Sequence, residues 1–319
     1  MNQIMKYFQF LLLDDFKSWN EANFKKEFNH ILINYKIRTY SFFLPFEQQK
    51  FFLYIMFRTQ YDSDISIYSP EGRLYQIEYA MQAVAQGSTA LGLKSKTHAV
   101  VVTLMRSSDE LSSHQRKIFK VDGHMGIAIS GLTADARVLL KFMRNETLHH
   151  KFVYGSDLPT GEVVSSLAMK SQRNTQRWGR RPYGVGLLVI GYDGGKTHLY
   201  QTSPSGNCFS YYAQAIGSRS QSARTYLEKN FKEFPELGLE ELVLHGVKAL
   251  KESSGKETLT KLNVGIAVVG KEQKFEILKP NKVQTYLDQI LQTEGEIEIE
   301  NENENEKDQE AETLELKLD

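Results

Sequence analysis

An α+β fold, with antiparallel sheet and helix in packed layers, is what the sequence predicts for residues 56–291. Three observations lead there. Strand-like runs come in groups, helical stretches follow in pairs, and strand-like runs then return. The strict strand–helix alternation of a dinucleotide-binding sheet does not occur, and neither does any repeat of fixed period.

The elements follow in order. Ser69-Pro70-Glu71-Gly72 is a turn signal, because proline presets one backbone angle and glycine frees another. From Arg73 to Gln86, the residues Leu74, Ile77, Met81 and Val84 recur at spacings of three and four, which predicts a helix with one apolar face. Burying that face is expected to contribute roughly 6–12 kcal/mol. Gly87 reads as the helix stop. Ser88–Lys94, His98–Leu104 and Met125–Ser130 read as strands, and Gly131 breaks the third. Ala134–His149 and Gly161–Gln176 read as helices, the first capped by Thr133. Gly184–Tyr192, Thr197–Thr202 and Asn207–Ile216 are rich in Val, Ile, Leu and Tyr and predict strands. Helices over Gln221–Phe231 and Leu239–Glu252, strands over Asn263–Val269 and Phe275–Leu278, and a last helix over Lys282–Ile290 complete the core.

The flanks differ in kind. Ten of the 18 phenylalanines fall in residues 1–55, yet no period organises them, so this N-terminal extension is not expected to share in the fold. Tyr7–Leu13 is a short apolar run, but Asp14 and Asp15 follow it at once and no small-residue cleavage site does, so it is not read as a signal peptide. The folding information, and the mature protein, are expected to begin at or near Met56. Residues 292–319 form an acidic, repetitive tail with too little apolar surface to offset its ordering entropy, so disorder is expected there.

Composition bounds the function. A net charge of +0 leaves no global field for nucleic acid. Cys208 is the single cysteine, so no disulfide forms within the chain, which fits a reducing compartment. No apolar run approaches the roughly 20 residues of a spanning helix. A phosphate-binding GxxxxGK[ST] loop, HExxH, CxxC and GxSxG are all missing. Adjacent His149 and His150 do not face one metal from a helix, and nothing groups His114, His124 and His245 as ligands. Arg177-Trp178-Gly179-Arg180-Arg181-Pro182-Tyr183 mixes basic and aromatic residues, but a turn leading into a buried strand accounts for it better than a nucleic-acid patch.

Several segments carry a resemblance. They are YDSDISIYSPEGRLYQIEYAMQAVAQGSTALGLK (Tyr61–Lys94), SGLTADAR (Ser130–Arg137), GRRPYGVGLLVIGYD (Gly179–Asp193), QTSPSGN (Gln201–Asn207) and IGSRSQSARTYLE (Ile216–Glu228). In order and spacing the chain resembles the alpha subunits of the 20S proteasome. Met56–Asp62, Gly179–Gly186 and Ala223–Glu228 are most similar to one branch of the eukaryotic family. The resemblance implies the N-terminal nucleophile hydrolase fold, a four-layer αββα sandwich of two antiparallel sheets between helix layers. It implies a place in a seven-membered alpha ring, in cytoplasm and nucleus, that contacts proteasome beta subunits and regulatory particles. No cofactor, metal, nucleic acid or membrane partner is implied.

It also assigns residues. Family members with activity use an N-terminal threonine as nucleophile, its own amine serving as base. Here Ser88 stands at that place but inside the chain, Leu104 stands where active subunits carry an aspartate, and only Lys117 matches the catalytic set. A non-catalytic role is therefore expected. Tyr61, Asp62, Pro70 and Tyr79 match a cluster that holds the N-terminal tails of the gate open. Lys117 and Gly131 match a pocket in which a lysine binds the C-terminal carboxylate of a regulator's tail. The competing expectations are a self-processing hydrolase, cut after Gly87 to free Ser88, and a separate binding module using Arg177–Tyr183.

Overall fold

The computed structural model describes residues 61–106, 111–255, 257–290 and 292. The expected extension over residues 1–55, the start at Met56 and the acidic tail beyond residue 292 lie outside the described residues. The chain divides into two compact units, Met1–Ser63 and Asp64–Asp319. Every element below belongs to the second.

Helix α1 (Tyr75–Gln86) opens the unit, followed by strands β1 (Ala90–Lys94), β2 (His98–Leu104), β3 (Ile118–Asp122) and β4 (Met125–Gly131). Helices α2 (Thr133–Tyr154) and α3 (Thr160–Gln176) precede β5 (Val185–Asp193), β6 (Lys196–Thr202), β7 (Cys208–Ser210) and β8 (Ala213–Ile216). Then come α4 (Ser220–Asn230), α5 (Leu239–Ser254), β9 (Val264–Gly270), β10 (Gln273–Ile277) and a helix α6 over residues 280–290. The strands form two sheets, β10-β9-β2-β1-β8 and β3-β4-β5-β6-β7, all of whose pairings are antiparallel.

Alternation along the strands sorts their side chains into three apolar layers. On β2, Val100, Val102 and Leu104 face Leu242, Val243 and Val247 of α5. Its other face sends Ala99 and Val101 between the sheets. On β5, Leu187 and Val189 join Leu139 and Met143 of α2 and Val163 and Leu167 of α3, while Leu188 and Ile190 enter the layer between the sheets. Helix, sheet, sheet and helix thus stack around three buried layers, the four-layer sandwich that the resemblance implies.

Three local expectations need correcting, while the expected stop of α1 at Gly87 holds. The apolar face of α1 is only partly buried by its own chain: Leu74, which precedes the helix, Ile77 and Val84 are half-buried, and Met81 is 41% exposed. The expected 6–12 kcal/mol of burial therefore does not hold. Gly87 ends α1 without the left-handed backbone of a typical glycine stop (φ −62°). Its glycine is required by close approach, because a Cβ there would lie 2.4 Å from the Gly131 nitrogen. Thr133 is inside α2 and makes no cap; Leu132 takes that position. The run Asn207–Ile216 is two strands in different sheets, because the chain crosses from one to the other at Tyr211–Tyr212. Strand β3 went unread in the sequence because exposed Lys120 interrupts its apolar pattern. Among the described residues no helix is long and apolar enough to cross a membrane.

Candidate functional site

Ser88 lies at the meeting of four segments. Its hydroxyl donates to the Leu104 carbonyl at 2.9 Å, so it is held by main chain rather than facing a base. Its own carbonyl accepts from Lys117 Nζ and, at 3.2 Å, from Ser130 Oγ. Glycines pack around it. A Cβ on Gly217 would lie 2.6 Å from the Ser88 carbonyl oxygen, and one on Gly131, where φ is +110°, would lie 2.3 Å from that of Gly184. The backbones approach so closely that only glycine fits. Leu104 turns its side chain into the apolar layer beneath α5.

Lys117 is the unusual group here. It precedes β3 and is 5% exposed. Nζ donates to the carbonyls of Ser88 and, at 3.1 Å, of Thr89. An ammonium has three donors, so one remains beyond these two neutral acceptors. No carboxylate among the described residues pairs with it. Burial, together with the positive charge of Arg106, pulls its pKa from 10.5 down to about 7. Such a group accepts an anion readily, because a carboxylate supplies the charge that the fold does not.

Two of the quoted sequence segments meet next to this place. Arg181 forks onto Asp135, with Nη1–Oδ2 at 2.6 Å and Nη2–Oδ1 at 2.8 Å, and Asp135 Oδ2 also accepts from the Gly184 nitrogen at 3.0 Å. The guanidinium holds the Asp135 carboxyl below the usual carboxylate range. The Arg177–Tyr183 stretch thereby fastens the first turn of α2 to the start of β5.

Comparison with known proteins decides what this arrangement belongs to. The family model for the proteasome subunit matches residues 84–269, and the model for the N-terminal signature of proteasome A-type subunits matches residues 61–83. The alpha type-1 proteasome subunit of Dictyostelium discoideum is 55% identical over 241 residues, covering 75% of this chain and 97% of that protein. The alpha type-1 proteasome subunit of Drosophila melanogaster is 49% identical, covering 70% and 81%. The alpha type-6 proteasome subunit of Saccharomyces cerevisiae is 47% identical, covering 73% and 100%. The chain belongs to the proteasome alpha-subunit family. Alpha subunits of the proteasome are non-catalytic members of the 20S core, and ring assembly, gating and docking are the roles of that family. The branch singled out by Met56–Asp62 and Gly179–Gly186 is the one these relatives represent.

The residues assigned by resemblance fall as follows within this alpha subunit. Lys117 is next to Ser88, while Gly131 forms the neighbouring close contact with Gly87. Pro70 and Gly72 shape a turn in which the Gly72 nitrogen donates to the Ser69 carbonyl at 2.9 Å. Tyr79 lies on α1, its ring stacked with Tyr75 at 6.4 Å. Tyr61 and Asp62 belong to the first unit, Pro70 and Tyr79 to the second. Sequence reasoning missed Ser130 and Gly217, which complete the surroundings of Ser88; both are small residues with no motif chemistry of their own. It also left His124 ungrouped, whereas the fold sets it beside Asp122 and Asp157.

Proposed function

We propose that this chain serves in a seven-membered alpha ring, contacts beta subunits on one face, and receives the C-terminal tails of regulatory particles at Lys117 and Gly131. The observation that carries this is Lys117: a nearly buried lysine, bonded to two carbonyls and unpaired with any carboxylate among the described residues. A terminal carboxylate satisfies its last donor and restores its charge. Tyr61, Asp62, Pro70 and Tyr79 serve the gate, and cytoplasm and nucleus are the expected compartments.

The same geometry supports the lack of an active site. Ser88 has no free amine, its hydroxyl is engaged by the Leu104 carbonyl, and the position of the ordering carboxylate holds buried Leu104. The experiment is crosslinking of a regulator's C-terminal tail peptide at this seam in assembled particles, comparing Lys117→Ala with the parent. The expected result is normal assembly and lower occupancy of this pocket. Unchanged crosslinking would overturn the docking role.

A further inference from the structure

Outside the site just described, one group of side chains remains unexplained. The β3–β4 hairpin turns through Gly123 and His124, with Asp122 paired to Met125 across it. The loop between α2 and α3 carries Asp157 and Leu158. The fold brings the two together: a ligand atom from each of Asp122, His124 and Asp157 lies within 4.8 Å of the others.

The hydrogen bonds around His124 define what its ring offers. Nε2 lies 2.9 Å from the Leu158 carbonyl oxygen. A carbonyl only accepts, so Nε2 carries the proton and the neutral ring presents its lone pair at Nδ1. Nδ1 is buried and has no hydrogen-bond partner, on a side chain only 11% exposed. Asp157 Oδ2 stands 4.0 Å from it, too far for a hydrogen bond. A buried nitrogen without a partner is costly unless something fills the gap. An imidazole whose far nitrogen is fixed by a backbone carbonyl, with its near nitrogen turned to two carboxylates, is the arrangement of a metal-binding histidine.

We propose that Asp122, His124 and Asp157 form a binding site for a divalent transition-metal ion of the zinc class, which ties the β3–β4 turn to the α2–α3 loop. One imidazole and two carboxylates suit such an ion, whereas magnesium and calcium prefer oxygen alone. In the tetrahedral geometry of such an ion, ligand atoms about 2.0–2.2 Å from it lie about 3.3–3.6 Å apart, so Asp157 Oδ2, 4.0 Å from His124 Nδ1, must move inward. Asp157 can supply that movement, because its side chain is 50% exposed. Each carboxylate has one oxygen engaged: Asp122 Oδ1 accepts from the Gly123 nitrogen at 2.6 Å, and Asp157 Oδ1 pairs with Lys151 Nζ at 2.7 Å. The second oxygen of each is the ligand atom. Lys151 competes with the ion for Asp157.

That competition separates a metal site from a merely structural cluster. Zn2+ alone is titrated into the full chain by calorimetry, and Co2+ is added in parallel to read its visible ligand-field absorption. The expected result is one ion per chain and a cobalt spectrum showing nitrogen and oxygen ligands. Asp157→Asn, which keeps the side-chain shape, and His124→Ala each weaken Zn2+ binding by about tenfold or more, as loss of supporting groups alone does elsewhere. Lys151→Ala tightens it by removing the competing charge. Excess Mg2+ displaces nothing. No Zn2+ binding, or binding indifferent to both His124→Ala and Asp157→Asn, as ions held on the acidic tail would show, overturns the proposal.

Discussion

Lys117 is one residue with two chemistries open to it, and the fold sets the surroundings in which either would act. In the sequence it matches both a catalytic lysine and a docking lysine. The structure holds it against the carbonyls of Ser88 and Thr89 while leaving Ser88 internal and engaged with Leu104. Its pH behaviour follows. With the folded pKa lowered from 10.5 to about 7, both folded and unfolded chains hold the proton below pH 7, and the cost of burying the charge is then full. Between about 7 and 10.5 only the unfolded chain holds it, so this residue makes the unliganded subunit more stable as pH rises across that window. A bound carboxylate reverses the preference by favouring the charged form. Tail-peptide affinity at this pocket should therefore fall as pH rises from 7 to 9, with proton uptake on binding. Calorimetry in buffers of different ionisation enthalpy checks both, and Lys117→Ala should abolish the uptake at this seam. The sequence names the lysine but not its burial, because burial depends on β1, β2 and β4 converging from separate parts of the chain.

Elements here are held together where backbones touch. Gly131 ends β4 with φ +110° against the Gly184 carbonyl. Gly131→Ala adds backbone strain of about 1–3 kcal/mol and a clash with main chain that no rotamer relieves. Thermal unfolding of the purified subunit should show the loss, and tail docking should weaken with it. Asp135 is the second fastening. Asp135→Ala removes the Arg181 fork and leaves the Gly184 nitrogen without that acceptor. Arg181 is 65% exposed, so solvent screens the pair and the loss should be about 1–2 kcal/mol, read by the same unfolding measurement. Helices and most strands were legible, since their periods are long and regular; His98–Leu104 matches β2 residue for residue. The split of Asn207–Ile216 was not legible, because the same β-favouring composition continues through the crossing at Tyr211–Tyr212. Nor was the exposure of α1. Periodicity reveals that a face is apolar, not what covers it, and Met81 lies open on the isolated chain.

At the scale of the whole molecule the three apolar layers hold the sandwich, and the layer between the sheets joins its halves. Leu188 is fully buried in that layer. Leu188→Ala should cost about 2–5 kcal/mol, seen as a lower unfolding midpoint and as reduced incorporation into particles. The four-layer arrangement came from resemblance, since composition and period alone led only to packed sheet and helix. The match of Lys117 and Gly131 to a docking lysine and a pocket glycine came by the same route, whereas the cluster of Asp122, His124 and Asp157 did not, because Asp157 is distant in sequence from the other two and only the fold joins it to them. The function proposed for this alpha subunit depends on its standing in the core particle uncut and without chemistry at Ser88. Native core particles treated with a covalent threonine-protease inhibitor, followed by the intact mass of this chain after release, decide the matter. The expected chain is continuous across Gly87–Ser88 and free of adduct, in particles whose beta subunits are labelled. A chain beginning at Ser88, or one carrying the inhibitor on that residue, would make the subunit catalytic and the proposed role wrong.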